Sequence, residues 1–302
     1  MSRTTRSERG TINQPTPCPR CGAPSRGWVL ARDRSGGKPW PIRRCNSCHI
    51  GFTARAAGSA PAAPTALPAG GIVRALADGI ISRELRPLTE AVEPNGAVLD
   101  IGAGGGDRAL VLVRAGYRVT AVEPDLHEAA RACDQLQGRA VLLTTTAEAL
   151  PPDATGYDGA LLSHVLEHLA QPDRALQLIS DRLRPGGRVA IMVPNAGGLQ
   201  ARVFRGRWHQ WEPSRHRWHF TAAVLAEMLR GAGYRDVRVR AAGGWRYPAS
   251  LAYSLFPRLD PQAPGSPHAA VGRLFAFTLT PVAFAEVAIG RGSQLVATAR
   301  RP

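Results

Sequence analysis

The sequence contains almost no lysine. Lys38 is the only one, so nearly all of the net charge of +15 comes from arginines, which are spread along the whole chain of 302 residues. A dedicated nucleic-acid-binding face usually gathers its basic residues into one patch, which this distribution does not predict. The charge therefore supports an anionic substrate and leaves RNA open as a partner. The hydrophobic content of 44% suffices for one full-sized core and a small additional module.

The chain also lacks a long uninterrupted apolar run. Residues 1–10 are polar and basic, which is not the pattern of a secretory signal and predicts a cytoplasmic protein. The most apolar stretch, residues 245–290, is interrupted by several prolines and by Arg273 and Glu286. This stretch does not predict a transmembrane segment. It predicts helices that cover a ligand pocket or, alternatively, a peripheral membrane contact.

Cysteine is scarce as well, but four of the five cysteines form two Cys-x-x-Cys pairs. In a reducing compartment such pairs are metal ligands more often than disulfides, so Cys18, Cys21, Cys45 and Cys48 predict one tetrahedral zinc site. A site closed by four thiolates is structural, and zinc would supply most of the stability of so small a module. His49 follows the second pair where zinc ribbons usually have glycine, and it is an alternative ligand in place of Cys48.

These features predict the domain organisation. We expect a disordered tail over residues 1–15, a small N-terminal zinc ribbon over 16–53, and a linker over 54–70 that is rich in alanine, proline and glycine. The second and larger domain then covers residues 71–302.

The first candidate ligand-binding feature of the larger domain is a glycine-rich turn. Residues 97–101 form a short apolar run, typical of a buried parallel strand, and glycines follow at 102, 104 and 106. A dinucleotide fingerprint needs a further glycine at 107, but Asp107 stands there and disfavours a pyrophosphate. A nicotinamide or flavin Rossmann domain remains the alternative. A second strand-like run ends at Glu123, which is placed to accept hydrogen bonds from ribose hydroxyls.

This stretch resembles the first motif of the class I S-adenosylmethionine (SAM)-dependent methyltransferases. The resemblance implies an α/β fold with a Rossmann-like seven-stranded sheet, whose last strand, residues 294–299, is antiparallel and lies at the sheet edge. It also implies that Asp100 and the glycine turn hold the methionine end of SAM, that Glu123 holds the ribose, and that the turn at 146–148 holds the adenine. The cofactor-binding residues implied are Asp100, Gly102, Ala103, Gly104, Gly106, Glu123, Pro124, Thr146, Ala147, Glu148 and Ser163.

Residues 164–169 follow the fourth predicted strand, at the sheet edge where ligands bind. If the segment is helical, His164, Glu167 and His168 share one face. They could then deprotonate an acceptor hydroxyl or hold a divalent cation. The segment resembles that of the ubiquinone-biosynthesis O-methyltransferases, which have glutamate where His164 stands. The alternative is that Glu167 and His168 only shape the pocket through hydrogen bonds.

Residues 202–220 combine three tryptophans, five arginines and several histidines without periodicity. This pattern predicts a long loop that acts as a lid, suited to a planar or sugar acceptor that carries phosphate or carboxylate. His216 is expected to join His164 and His168. The alternative is that the tryptophans pack in the core while the arginines are solvated.

We therefore expect a SAM-dependent methyltransferase with a structural Zn²⁺ ion. Its acceptor would be a small molecule or a glycan, anionic or aromatic, methylated at oxygen. An RNA methyltransferase of the ribosomal RNA type is one alternative. A SAM-binding scaffold without catalytic activity, whose zinc ribbon recruits a partner, is the other.

Overall fold

A computed structural model describes residues 16–34, 38–54, 71–243, 247–260, 272, 275–276 and 278–302. The chain divides into two compact units. The first, which we call the ribbon unit, combines residues 1–60 with 194–224 and 241–295; the second, the sheet unit, contains 61–193, 225–240 and 296–302. The expected tail over 1–15, nearly all of the expected linker, and Arg273 lie outside the described residues. The domain boundaries therefore stay predictions.

The helices and strands follow one another along the described chain in this order: β1 (Ser25–Ala31), β2 (Trp40–Cys45), β3 (Gly51–Thr53), α1 (Gly71–Thr89), β4 (Ala97–Ile101), α2 (Asp107–Arg114), β5 (Arg118–Val122), α3 (Leu126–Leu136), β6 (Val141–Leu143), β7 (Tyr157–Ser163), α4 (Pro172–Arg182), β8 (Leu183–Pro194), α5 (Leu199–Phe204), β9 (Trp218–His219), α6 (Ala222–Gly231), β10 (Arg235–Ala242), α7 (Tyr247–Leu255), α8 (Thr280–Ala288) and β11 (Gln294–Arg300). Short 3₁₀ turns lie at Ala147–Ala149, Arg205–Arg207, His209–Trp211 and Pro257–Leu259.

The ribbon unit contains a four-stranded sheet in the order β1-β2-β3-β9. Neighbouring strands are antiparallel, with Arg43 opposite Phe52 and Phe52 opposite Trp218. Three strands come from the expected zinc ribbon. The fourth, β9, comes from the segment that was expected to be a lid.

The larger sheet has seven strands in the order β10-β11-β8-β7-β4-β5-β6. The pairs β4–β5, β4–β7, β5–β6 and β7–β8 are parallel. Its centre is largely apolar, as expected for strands covered on both faces: Leu99 and Leu161 have no exposed surface. The predicted α/β fold with a Rossmann-like, seven-stranded sheet is confirmed.

The last strand, β11, lies between β8 and β10, so its expected position at the sheet edge is wrong. Its antiparallel direction is confirmed. The start of β8 lies beside the end of β11, where Arg301 N–H donates to Gly187 O over 2.9 Å. The end of β8 lies beside the start of β11, where Asn195 N–H donates to Ser293 O over 2.7 Å.

The turn expected at residues 183–187 is part of β8. The pairing with β7 shifts there, because Tyr157 lies opposite Leu183 while Gly159 lies opposite Arg188. Gly186 allows this irregularity with a positive φ of 80°. Along the described residues, no helix is long and apolar enough to cross a membrane.

Candidate functional site

The turn between β4 and α2 is shaped by its glycines. Gly102, Gly104 and Gly106 have φ values of 68°, 55° and 84°, in the left-handed region that favours glycine. Gly102 and Ala103 both donate their N–H groups to Val122 O, over 2.8 and 3.0 Å, which fixes the turn against the end of β5. A Cβ atom on Gly102 would lie 2.5 Å from a Val165 methyl group. The turn therefore presents main chain, without side chains, toward a ligand.

Glu123 lies at the end of β5 and faces this turn. Its Oε2 accepts from Gly104 N–H over 2.8 Å, and its Oε1 accepts from Asp125 N–H over 2.9 Å. Burial raises the pKa of Glu123, although these two N–H groups oppose the effect. Each carboxylate oxygen has two lone pairs, so Glu123 can still accept from both ribose hydroxyls of an adenosyl group.

Asp100 lies in β4, one residue before the end of the strand, and is 1% exposed. Its Oδ2 has no hydrogen-bond partner among the described residues. Burial raises the pKa of Asp100 to about 7, and the charge of Arg108 only partly opposes this effect. A buried carboxyl group with an unused oxygen fits a cationic ligand group, such as the methionine end of SAM.

Asp107, which departs from the dinucleotide fingerprint, connects the start of α2 to α1 and α3. Its Oδ1 accepts from Arg74 Nη1 and from Gln135 Nε2, both over 2.9 Å. The carboxylate at the start of α2 also opposes a pyrophosphate at that position. Both observations favour SAM over a nicotinamide or flavin dinucleotide.

The remaining residues assigned to the cofactor lie on turns of the sheet unit. Ala147 is buried in a 3₁₀ turn, flanked by exposed Thr146 and Glu148. Pro124 is exposed directly after Glu123, and Ser163 Oγ lies 3.7 Å from Met192 Sδ at the end of β7. Their contacts with SAM stay predictions.

Residues 164–168 form one tight turn, so the conditional helix does not form. His164 has a positive φ of 58°, and His168 N–H donates to Val165 O over 2.9 Å. His164 Nδ1 nevertheless lies 3.3 Å from Oε1 of Glu167, which has no exposed surface. A carboxylate beside Nδ1 favours the tautomer in which that nitrogen carries the proton. His164 Nε2 then carries the lone pair that a general base needs. Because Val165 touches Gly102, the turn is packed against the glycine turn.

The four cysteines of the ribbon unit converge. Their Sγ atoms all lie within 4.8 Å of one another, and Cys21 Sγ lies 3.5 Å from Cys45 Sγ and 3.6 Å from Cys48 Sγ. A tetrahedral zinc site with Zn–S bonds of about 2.3 Å has S···S edges of about 3.8 Å, close to these distances, whereas a disulfide needs about 2.05 Å. Burial acts to raise the pKa of Cys45, but N–H groups of Ser47 and Cys48 outweigh it and lower the pKa to about 7. The group fits Zn²⁺.

His49 is exposed and adopts a left-handed conformation, with φ of 58°. Gly22, which follows the first pair as His49 follows the second, has φ of 72°. Both cysteine turns therefore end in the same left-handed conformation, which strains His49 but not Gly22 and explains why glycine is usual there. The four sulfurs converge without His49, so its role as an alternative ligand stays a prediction.

The segment 199–220 is not a long loop. It contains α5, two 3₁₀ turns and β9, and its tryptophans, Trp208, Trp211 and Trp218, are at most 4% exposed. Trp211 makes edge-to-face contacts with Trp28 and Trp208 at 5.4 and 5.1 Å. The alternative in which the tryptophans pack in the core is correct, because Trp208 and Trp211 belong to a buried cluster with Ile42 of β2, and Trp218 is buried within β9.

His216 is also buried in the ribbon unit, where Nδ1 contacts Gln210 O over 3.0 Å. A carbonyl oxygen only accepts, so Nδ1 carries a proton. The expected meeting of His216 with His164 and His168 stays a prediction, since those residues belong to the sheet unit.

One buried charge cluster in this unit was not predictable from the sequence. Glu212 pairs with Arg34 and, over 3.1 Å, with Arg215. Burial acts to raise the pKa of Glu212, but the charges of Arg34 and His216 outweigh it and hold the pKa well below its ordinary value. The Asn195 side chain stabilises two neighbouring segments of the same unit: Nδ2 donates to Gly292 O and Oδ1 accepts from Gly197 N–H.

Comparison with known proteins agrees with this geometry. A family model described as a methyltransferase domain matches residues 74–239, more than half of the chain. An uncharacterised methyltransferase of Mycobacterium tuberculosis is 36% identical over 97 residues, which are 32% of this chain and 38% of the relative. The ubiquinone/menaquinone biosynthesis C-methyltransferase of Syntrophotalea carbinolica is 33% identical over 175 residues, which are 49% of this chain and 73% of the relative.

Among solved structures, phosphoethanolamine N-methyltransferase 2 of Haemonchus contortus in complex with SAM has a TM-score of 0.54 and 18% identity, and the match covers 73% of this chain and 52% of that one. This likeness shows the fold. The fold, the glycine turn and the family match define a Rossmann-like protein with a methyltransferase domain. The chain belongs to the methyltransferase domain family, although it spans only 38% of the length of the mycobacterial relatives.

Proposed function

We propose that the protein transfers the methyl group of SAM to an oxygen atom of a small-molecule or glycan acceptor. The observation that carries this proposal is the pair formed by His164 and buried Glu167, with 3.3 Å between Nδ1 and Oε1, at the carboxyl end of β7. Carbon and nitrogen acceptors need no such base when they are already nucleophilic. A hydroxyl group does, because its neutral oxygen is a poor nucleophile.

SAM supplies an activated methyl group on a positively charged sulfur. The acceptor oxygen forms its bond to the methyl carbon as the carbon–sulfur bond breaks, and S-adenosylhomocysteine leaves. His164 Nε2 takes the hydroxyl proton, and the Glu167 carboxylate stabilises the imidazolium that forms. Asp100, the glycine turn and Glu123 align the donor, which accounts for much of the expected rate enhancement.

Two further roles belong to this proposal. His168 and His216 serve the acceptor side, and the four cysteines bind a structural Zn²⁺ ion. Four reduced thiols in one cluster also favour a reducing compartment, which supports a cytoplasmic location.

The test uses methyl-labelled SAM and a host extract, with the zinc-loaded protein and its His164→Ala variant. We expect label to enter small molecules or glycans, and the variant to lose about 10²–10⁴-fold in turnover while its SAM affinity stays unchanged. His127→Ala is the matched control, because His127 is exposed at the start of α3. Label in RNA would support the RNA alternative, and SAM binding without any labelled product would support the scaffold. Full activity of His164→Ala would remove His164 from the mechanism.

A further inference from the structure

The ribbon sheet contains a strand from far along the chain. Thr53 ends β3, and its N–H donates to Arg217 O over 3.0 Å. The same register pairs Phe52 with Trp218 and Gly51 with His219. The zinc-binding module and the residues around His216 therefore share one hydrogen-bonded sheet.

The side chain of Thr53 adds two contacts to this pairing. Its Oγ1 donates to His216 O over 2.7 Å and lies 3.0 Å from His219 Nε2. A carbonyl oxygen cannot donate, so the single hydroxyl proton goes to His216 O. His219 must then donate its Nε2–H to the hydroxyl oxygen. One side chain of the ribbon thus fixes both the backbone at His216 and the protonated nitrogen of His219.

His216 is held from its own segment as well. Its N–H donates to Glu212 O over 2.8 Å, while its Nδ1–H donates to Gln210 O. With the Thr53 hydroxyl on its carbonyl oxygen, three separate contacts fix the residue.

The remainder of the segment 204–220 also contacts the strands of the zinc-binding module. Arg32 N–H donates to Gly206 O over 2.8 Å, and a Cβ atom on Gly206 would lie 1.9 Å from Leu30 O. The chain at Gly206 therefore lies directly against β1. Trp211 also contacts β1, through the edge-to-face contact of its ring with Trp28.

We propose that Thr53 is a positioning residue for His216 and His219, and that zinc binding by the ribbon orders the segment 204–220. The acceptor role of His216 rests on the function proposed above. The positioning by Thr53 does not, and the measurements below report on it without any acceptor.

The first experiment compares Thr53→Val, which keeps the β-branched shape, with Thr53→Ser, which keeps the hydroxyl. Ring ¹⁵N NMR of the zinc-loaded protein reports the His219 tautomer, and hydrogen exchange reports the amides of residues 216–219. We expect Thr53→Val to lose the single Nε2–H tautomer and to exchange about tenfold faster, as for the loss of one hydrogen bond. Thr53→Ser restores both signals, and Thr89→Val, at an exposed hydroxyl, leaves them unchanged. An unchanged tautomer and unchanged exchange in Thr53→Val would overturn the role of Thr53.

The second experiment removes zinc from the intact protein with a chelator. Five tryptophans lie among the described residues of the ribbon unit, at 28, 40, 208, 211 and 218, and the residue ranges of the sheet unit contain none, so tryptophan fluorescence does not report on the sheet unit. We expect a red shift and faster exchange over 204–220, reversed by Zn²⁺, with SAM affinity unchanged within about twofold. Segment exchange that does not respond to zinc would refute the coupling. If the proposed methyl transfer to an acceptor oxygen is wrong, the fluorescence shift and the change in hydrogen exchange are still expected.

Discussion

Asp100 is expected to lower the stability of the folded protein at neutral and higher pH, while its carboxylate favours binding of the cationic ligand. The carboxyl group is 1% exposed, and burial raises its pKa to about 7 from an ordinary value of 3.8. The folded protein therefore keeps this proton up to about pH 7, whereas the unfolded chain loses it near pH 4. Stability falls as pH rises between these values and is lowest above pH 7. At 1.36 kcal/mol for each pH unit, the cost reaches about 4 kcal/mol at pH 8.

Asp100→Asn removes this cost because the amide carries no charge. We expect the variant to be about 2–4 kcal/mol more stable than the parent at pH 8 and nearly equal to it at pH 4, where the aspartate is already protonated. The same variant should bind SAM more weakly, since the carboxylate no longer faces the cationic methionine end. For the parent, SAM affinity should fall by up to about tenfold for each pH unit below 7, and this dependence should vanish in Asp100→Asn.

Urea unfolding at pH 4 and pH 8 and calorimetric titration with SAM measure both effects. Asp158→Asn is the control of opposite sign. Although burial acts to raise the pKa of Asp158, Ala97 N–H, which donates to Oδ2 over 2.7 Å, and Arg184 lower it. Its loss should destabilise the protein at pH 8. The reasoning about Asp100 is refuted if Asp100→Asn destabilises the protein at pH 8, or changes stability equally at both pH values.

Three further outcomes are expected. Gly102→Ala should lower the free energy of unfolding by about 2–5 kcal/mol and reduce SAM binding, because φ is 68° and the new Cβ would lie 2.5 Å from a Val165 methyl group. Adding Val165→Ala should recover only the stability lost to this steric clash. A double-mutant cycle without coupling would contradict the contact. His49→Gly should stabilise the zinc-loaded ribbon unit by about 0.5–1 kcal/mol in thermal unfolding, because His49 has a φ of 58°, which glycine adopts without strain. A loss of zinc affinity would instead identify His49 as a ligand. Glu212→Gln should destabilise the ribbon unit by about 3–5 kcal/mol at pH 7, followed by tryptophan fluorescence, because it removes the buried carboxylate that pairs with Arg34 and Arg215. The parent should lose this stability as pH falls from the ordinary carboxyl range down through the lower pKa of Glu212 in the folded protein. An unchanged unfolding midpoint would refute the role of the pair.

The parts of the fold that local sequence determines were predictable. The run at 97–101, the glycines that follow and Glu123 lie within 27 residues, and their spacing alone predicts a strand, a turn and a ribose-binding acid. The two cysteine pairs predict their site equally well, because a Cys-x-x-Cys turn brings two sulfurs together by itself.

Long-range pairing was not predictable from the same residues. Nothing in Trp218 and His219 indicates that they pair with β3, about 165 positions earlier in the chain. The sequence of β11 likewise does not show whether that strand lies at the sheet edge or one position inside it. The tryptophans of the segment 199–220 were ambiguous for the same reason: an aromatic residue suits a ligand or a core, and only the partner surface decides.

Calorimetric titration of the zinc-loaded protein with SAM, S-adenosylhomocysteine and a nicotinamide dinucleotide tests directly whether the glycine turn and Glu123 hold an adenosyl ligand. Saturable one-to-one binding of the first two, and no heat with the third, is the predicted result. Binding of the dinucleotide, with none of SAM or S-adenosylhomocysteine, would contradict it.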